Sequence, residues 1–424
     1  LSEPINPPAF LRNRYRWVIC ALLFSATAIS YIDRQTVSVL KPLLEKDFAW
    51  SELDYGDIVF VFQSAYAASY LFFGRLIDRL GARTGYAVAM GLWTLAHMGH
   101  ALVNSLGGFM IARAALGIGE GGNFPAGLKA VSEWFPKSER ALAVGLFNAG
   151  ANVGAIITPL LVPVVTLAWG WRAAFLVTGL FSVVWIFVWL RVYRRPEETA
   201  AVTPEELAII RAEPLEKPRP VPWRILLSTK EAWAYAAGRF LIDPVWWMFL
   251  FWLPDFFAKR HGLDLKSFGV PLAIVYILSD LGSVAGGWLS SFLIKRGQTV
   301  NRARKTAMLI SAVAVLPIVA GAFVDNLWMA VAIVGLATAA HQSFSCNLFT
   351  LPSDLFPRHA VGSVAGFGGT AGAVGGMLMA KYAGWVLDKI GSYTPIFIVS
   401  ASAYLLALLV IQLLSPRYEP ARIE

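Results

Sequence analysis

Apolar residues run through this chain in long uninterrupted stretches, separated by short polar segments. A helix needs about 20 consecutive apolar residues to cross the hydrocarbon core of a bilayer. Such stretches lie at about 17–40, 57–77, 84–103, 107–131, 141–163, 171–192, 231–258, 267–294, 306–324, 327–351, 361–380 and 395–414. The pattern predicts an all-α membrane protein of twelve transmembrane helices. One connection is long: 193–230, rich in Pro, Glu and Arg. It divides the chain into an N-terminal six-helix bundle (1–192), a cytoplasmic linker (193–230) and a C-terminal six-helix bundle (231–424). Within the linker, TPEELAII predicts a short helix with Thr203 as N-cap and Glu206 three positions on.

Composition agrees with this reading. The chain is 57% hydrophobic and 15% charged, with mean hydropathy +0.59. A soluble domain carries about 25% charged residues, so the apolar surplus here must face lipid. The net charge of +9 would raise nucleic-acid binding in a soluble protein. Here the excess lies between the apolar runs, and no nucleic-acid partner is expected. With the N-terminus inside, the inner segments hold 24 of the 36 Lys and Arg residues and the outer loops hold 7. Positive charge stays on the cytoplasmic side, which predicts cytoplasmic termini and, for a bacterial chain, the inner membrane. Cys20 and Cys346 fall inside apolar runs, so neither a disulfide framework nor a metal site is expected.

The halves echo each other. SEWFPKSERALAVGLFNAGANVGA from Ser132 aligns with SDLFPRHAVGSVAGFGGTAGAVGG from Ser353, pairing Gly145 with Gly366 and Gly154 with Gly375. Parallel six-helix repeats joined by a cytoplasmic linker resemble the architecture of major facilitator transporters. The loop after the second span, GRLIDRLGAR (Gly74–Arg83), resembles the signature of that superfamily at that place. The resemblance implies a gating role for Asp78, Arg79 and Arg83 on the cytoplasmic face.

Charges buried in spans are functional-site hypotheses by default. The first span carries Tyr31, Asp33 and Arg34; the fourth carries Arg113 and Glu120. Arg113, Gly117 and Glu120 are spaced to share one helical face. Counting along the antiparallel spans puts Asp33, Arg34 and Arg113 near one depth with Glu120 deeper, and Tyr66 projects from the second span. These five are expected to face one cavity. An arginine grips a carboxylate bidentately. A desolvated carboxylate takes and releases a proton near neutral pH. His97 and His100, near the outer end of the third span, are given no role.

YIDR, SAYAASY, GEGGNFPAGLKAVSEWFPKSERALAVG and SDLFPRHAVGSVAGF resemble the anion:cation symporters of the major facilitator superfamily. PAGLKAVSEWFP, GRFLIDPVWWMFLFWLP and SDLGSVAGGWL look most like the bacterial hexuronate transporters. The run Gly119, Gly121, Gly122 departs from those relatives. The resemblance implies a proton-coupled importer of a sugar acid, such as D-galacturonate or D-glucuronate, working by alternating access. It makes Arg34 and Arg113 the carboxylate and coupling arginines, Asp33 and Glu120 the protonation sites, and Tyr66 a donor to substrate.

Sugar-ring contacts are expected from Trp246, Trp247, Gln342, Ser345 and Asn347 in the C-terminal half, with Asn152 in the N-terminal half. Arg239, Asp243 and Asp280 are the charges buried there. The partners expected are a small organic anion, protons and the lipid bilayer. No cofactor is expected beyond protons as the coupling ion, and a monomer is expected. Other organic anions (galactonate, glucarate, an aromatic carboxylate) are the alternative cargo. A sensor that binds without transport is a competing class. An enzyme is not expected, since no nucleophile–base pair or metal cluster is visible.

Overall fold

A computed structural model describes residues 14–212, 223–419 and 421. Among them every regular element is helical. In chain order these are α1 (Tyr15–Phe48), α2 (Glu52–Gly99), α3 (Leu106–Glu120), α4 (Asn123–Trp134), α5 (Lys137–Trp169), α6 (Trp171–Val192), α7 (Pro204–Ile210) and α8 (Trp223–Ser228). There follow α9 (Lys230–His261), α10 (Gly269–Lys295), α11 (Val300–Val315), α12 (Ile318–Gly321), α13 (Leu327–Leu348), α14 (Leu351–Leu355), α15 (Arg358–Ile390) and α16 (Thr394–Leu414).

Among the described residues, nine helices are long and apolar enough to cross a membrane, or ten with the bent pair Glu52–Ser69 and Phe72–Leu102. Each of the twelve expected spans is matched by helix. The second and third run together as α2, through Gly81 at φ 75, ψ 165. Only glycine takes that conformation without strain. The fourth is broken into α3 and α4 at Gly121 and Gly122.

The glycines there allow close packing on α2. A Cβ at Gly119 would lie 2.5 Å from Trp93 N, one at Gly121 would overlap Ser69 Oγ, and one at Gly122 would lie 2.6 Å from Ala89 Cβ. The run lets α3 and α4 press backbone-close onto α2.

Two compact units form. One comprises 14–36 and 64–212, the other 37–63 and 223–419. In the first, α5 lies against α1: a Cβ at Gly150 or Gly154 would overlap the Phe24 or Ala28 carbonyl oxygen. Small residues permit this approach where lipid supplies no hydrophobic drive between helices. The short helix α7 also belongs to this unit. Thr203 Oγ1 accepts from Glu206 N at 3.1 Å, as the capping pattern predicts. The Glu206 carboxylate turns to α1 instead, accepting from Tyr15 N (3.1 Å), Arg16 N (3.0 Å) and Arg16 Nη1 (3.2 Å). An anion at these open N–H groups satisfies the start of α1.

In the second unit α9 packs on α15 and α10 on α13. Gly282 and Gly286 of α10 face Ala339 and Ser343 with no room for a Cβ. Residues 213–222 of the linker lie outside the described residues.

Candidate functional site

The first unit gathers four of the five expected residues. Arg34 on α1 donates to Glu120 at the end of α3, with Nε 2.9 Å and Nη2 2.6 Å from the same oxygen, Oε2. The Arg34 guanidinium stands 4.8 Å from the Tyr31 ring centre and 4.9 Å from that of Tyr66. Two aromatic faces therefore hold one cation. Arg113 Nη2 donates to the Arg34 carbonyl at 3.1 Å, so the second arginine braces the backbone that carries the first. Arg34, Arg113 and Glu120 are buried, and Tyr66 is half-buried.

Asp33 goes elsewhere. Adjacent residues on a helix point about 100° apart, and Asp33 turns to the C-terminal end of α2 and to α6. Ser182 Oγ donates to Asp33 Oδ2 at 3.2 Å, and His97 Nε2 lies 3.1 Å from Oδ1. His97 Nε2 is also 2.7 Å from Thr178 Oγ1, whose hydroxyl donates to the Ala174 carbonyl. With that proton committed, Oγ1 accepts, so Nε2 carries the hydrogen of His97. His97 thus lies against Asp33, a contact that its place near the end of a span does not suggest in sequence. The sequence does carry its signal: it and Asp33 are both ionisable groups within apolar runs.

Asn152 of α5 is half-buried and makes no hydrogen bond among the described residues. The signature loop ties the end of α6 to α2 in the first unit. Arg83 Nη2 donates to the Leu190 carbonyl, and Trp189 Nε1 donates back to the Arg83 carbonyl at 3.0 Å. Lys129 Nζ is 3.8 Å from exposed Asp78, a pairing worth little in water. Arg79 is exposed.

The second unit holds the remaining residues. Trp246 stacks on His341 at 5.4 Å, and Trp247 on Phe251 at 5.9 Å. Ser345 Oγ is 3.2 Å from His341 Nε2, and Tyr404 Oη is 2.7 Å from Nδ1. Asn347 is spent on packing: its Nδ2 donates to the Gly286 and Ser343 carbonyls at 3.2 and 2.9 Å. Gln342 is half-buried and makes no hydrogen bond among the described residues. Arg239 and Asp243 pair one turn apart on α9, with Nε and Nη2 each 2.6 Å from Oδ2. Gly368 and Gly372 of α15 leave the room that Tyr235 and Asp243 fill.

A second charge cluster is not legible in the sequence. Lys41, fully buried, lies 2.6 Å from Glu45 Oε1, 3.0 Å from Glu52 Oε2 and 2.6 Å from Asp255 Oδ1. Lys259 pairs with Glu52 and lies 3.1 Å from Asp255 Oδ2. The three carboxylates could in principle hold a metal ion. Their oxygens instead converge on the Lys41 ammonium, so the donor set suits that cation. Lys41 reads as an outer-loop residue, but α1 continues through Pro42 to Phe48.

Residues 23–380 match the family described as the Major Facilitator Superfamily. The hexuronate transporter of Escherichia coli (strain K12) is 34% identical over 403 residues, covering 93% of this chain and 93% of that protein. The galacturonate transporter of Dickeya chrysanthemi is 33% identical over 337 residues, covering 78% of this chain and 94% of that one. Among solved structures, a bacterial homolog of the human lysosomal transporter Spinster, in an inward-facing and unoccupied conformation, aligns with TM-score 0.72. It shares 16% identity over 96% of each chain, a likeness of fold alone.

Proposed function

The chain belongs to the Major Facilitator Superfamily, and from that premise we propose that it is a proton-coupled importer of a sugar acid, a hexuronate such as D-galacturonate or D-glucuronate. The names of its relatives support the cargo. The observation that carries the coupling is the Arg34–Glu120 pair.

The fork of Arg34 already grips a carboxylate, that of Glu120. A substrate carboxylate has the same shape and charge, so the two compete for one guanidinium. Protonation of Glu120 weakens its hold and releases the fork to the substrate. A bound substrate, in turn, removes the cation that kept Glu120 ionised. Proton and anion therefore favour each other's binding, which is the reciprocity any symporter needs. Tyr31 and Tyr66 keep the guanidinium in place during the exchange, and Arg113 fixes its backbone. Asp33, with His97 and Ser182, is a second proton-accepting group beside this centre.

Energetics favour a shared proton. Moving one negative charge inward against an interior-negative potential costs about 2.3 kcal/mol per 100 mV. One accompanying proton removes that cost for a monoanion, and the proton gradient then drives accumulation. On this reading the protein works by alternating access as a monomer in the bacterial inner membrane, with both termini cytoplasmic and no reaction catalysed.

Counterflow of each candidate acid, labelled outside and unlabelled inside the liposomes, tests the cargo. Exchange of galacturonate and of glucuronate, and none of aromatic carboxylates, is expected. Exchange confined to galactonate, glucarate or an aromatic acid would replace the hexuronate assignment. Binding without exchange would favour a sensor.

A further inference from the structure

Gln63 on α2 is 3% exposed, and neither its Nε2 nor its Oε1 has a hydrogen-bond partner among the described residues. Buried amides are almost always paired, because an unmade hydrogen bond in a low-dielectric interior is costly. A methionine or leucine would fill the same volume without that cost, so packing does not call for a glutamine here.

The amide points at a defined place. A Cβ built on Gly376 of α15 would overlap Gln63 Oε1 and lie 2.7 Å from Trp247 Cδ1 and 3.1 Å from Trp247 Nε1. The carboxamide, the pyrrole edge of the indole and a side-chain-free stretch of α15 thus converge. Trp247 is held there by its stacking on Phe251. A carboxamide offers two donors and an acceptor oxygen with two lone pairs. An indole adds an N–H and an apolar face. Together they suit adjacent hydroxyls on a saturated ring.

We propose that Gln63 and Trp247, packed against the bare backbone at Gly376, form a hydroxyl-binding subsite that selects polyhydroxy acids over plain carboxylates. This rests on the reading of the chain as a sugar-acid transporter.

The test uses the purified full chain in detergent, with calorimetric binding of galacturonate and of tetrahydropyran-2-carboxylate, a ring acid without hydroxyls. Thermal unfolding of the ligand-free protein is measured alongside. Gln63→Met should lower galacturonate affinity about tenfold or more. It should leave the affinity for the plain acid unchanged and keep or raise the ligand-free unfolding temperature. Gly376→Ala, which drives a methyl against Gln63 Oε1 and the Trp247 indole, should lower galacturonate affinity in the same selective way.

Equal losses for both acids, or unaltered galacturonate binding in Gln63→Met, would overturn the subsite while leaving the transporter reading intact. A fall in the ligand-free unfolding temperature with no selective loss would assign the amide to structure. A wild-type protein that binds neither acid would overturn both proposals.

Discussion

Arg34 meets Glu120 through a single carboxylate oxygen, with Nη2 2.6 Å and Nε 2.9 Å from Oε2, deep in the first unit. Removing one partner of a buried ion pair strands the other, at a cost of about 3–5 kcal/mol. Arg34→Ala should therefore lose substrate binding and stability together. The double variant Arg34→Ala, Glu120→Gln should regain most of the stability and none of the binding. Thermal unfolding and calorimetric titration of the three proteins separate the effects. A double variant that binds galacturonate would remove Arg34 from the carboxylate clamp.

The glycine run of the fourth span should tolerate substitution unequally. Gly119→Ala pushes a methyl against the Trp93 backbone, 2.5 Å from N and 2.7 Å from Cα, and main chain gives way poorly. Overpacking of this kind costs about 1–3 kcal/mol. Gly121→Ala collides first with the Ser69 hydroxyl. Ser69→Ala should therefore partly restore Gly121→Ala and do nothing for Gly119→Ala. Unfolding temperatures of the two pairs decide it.

Lys41 neutralises three carboxylates whose ligand oxygens lie within 4.8 Å of one another. Lys41→Met leaves Glu45, Glu52 and Asp255 facing one another with Lys259 as the cation beside them. Repulsion among ionised carboxylates falls as they take up protons. The stability deficit of this variant should thus be larger at pH 8 than at pH 5. An equal deficit at both would mean that Lys41 acts through packing.

Glu206 ties the linker helix to the first span through Tyr15 N, Arg16 N and Arg16 Nη1. Charge-assisted bonds and a lost cap together put the cost of Glu206→Ala at about 2–4 kcal/mol. Transport per folded molecule should be unaltered, since no substrate group is touched. Unfolding curves and uptake normalised to folded protein check both halves of the statement.

What is legible in the sequence follows from free energy. Charge inside an apolar run is too costly to keep without purpose, so Arg34, Arg113 and Glu120 stand out on sequence alone. The helical spans are legible because lipid demands unbroken apolar length, and nine or ten of the described helices are long and apolar enough to cross a membrane. Direction is harder. Asp33 and Arg34 are neighbours in sequence, yet the helix sends them to different partners. Lys41 looks like loop because Pro42 and a run of charges follow it, while the helix continues past both. Gln63 is hidden for another reason: an uncharged polar residue in a span looks the same whether it bonds a neighbouring helix or a ligand. Only its lack of partners distinguishes it. Asn347, expected to touch substrate, is the opposite case, with its amide bonded to the backbones of α10 and α13.

Coupling of the proton to the sugar acid through Glu120 is the central claim and the one most directly tested. Wild-type protein and Glu120→Gln would be compared in proteoliposomes for galacturonate accumulation under an inward proton gradient and for galacturonate counterflow without one. The wild type should accumulate galacturonate in a manner that a protonophore abolishes. Glu120→Gln should lose that accumulation while retaining counterflow. Gradient-driven accumulation by Glu120→Gln at the wild-type level would contradict the coupling role.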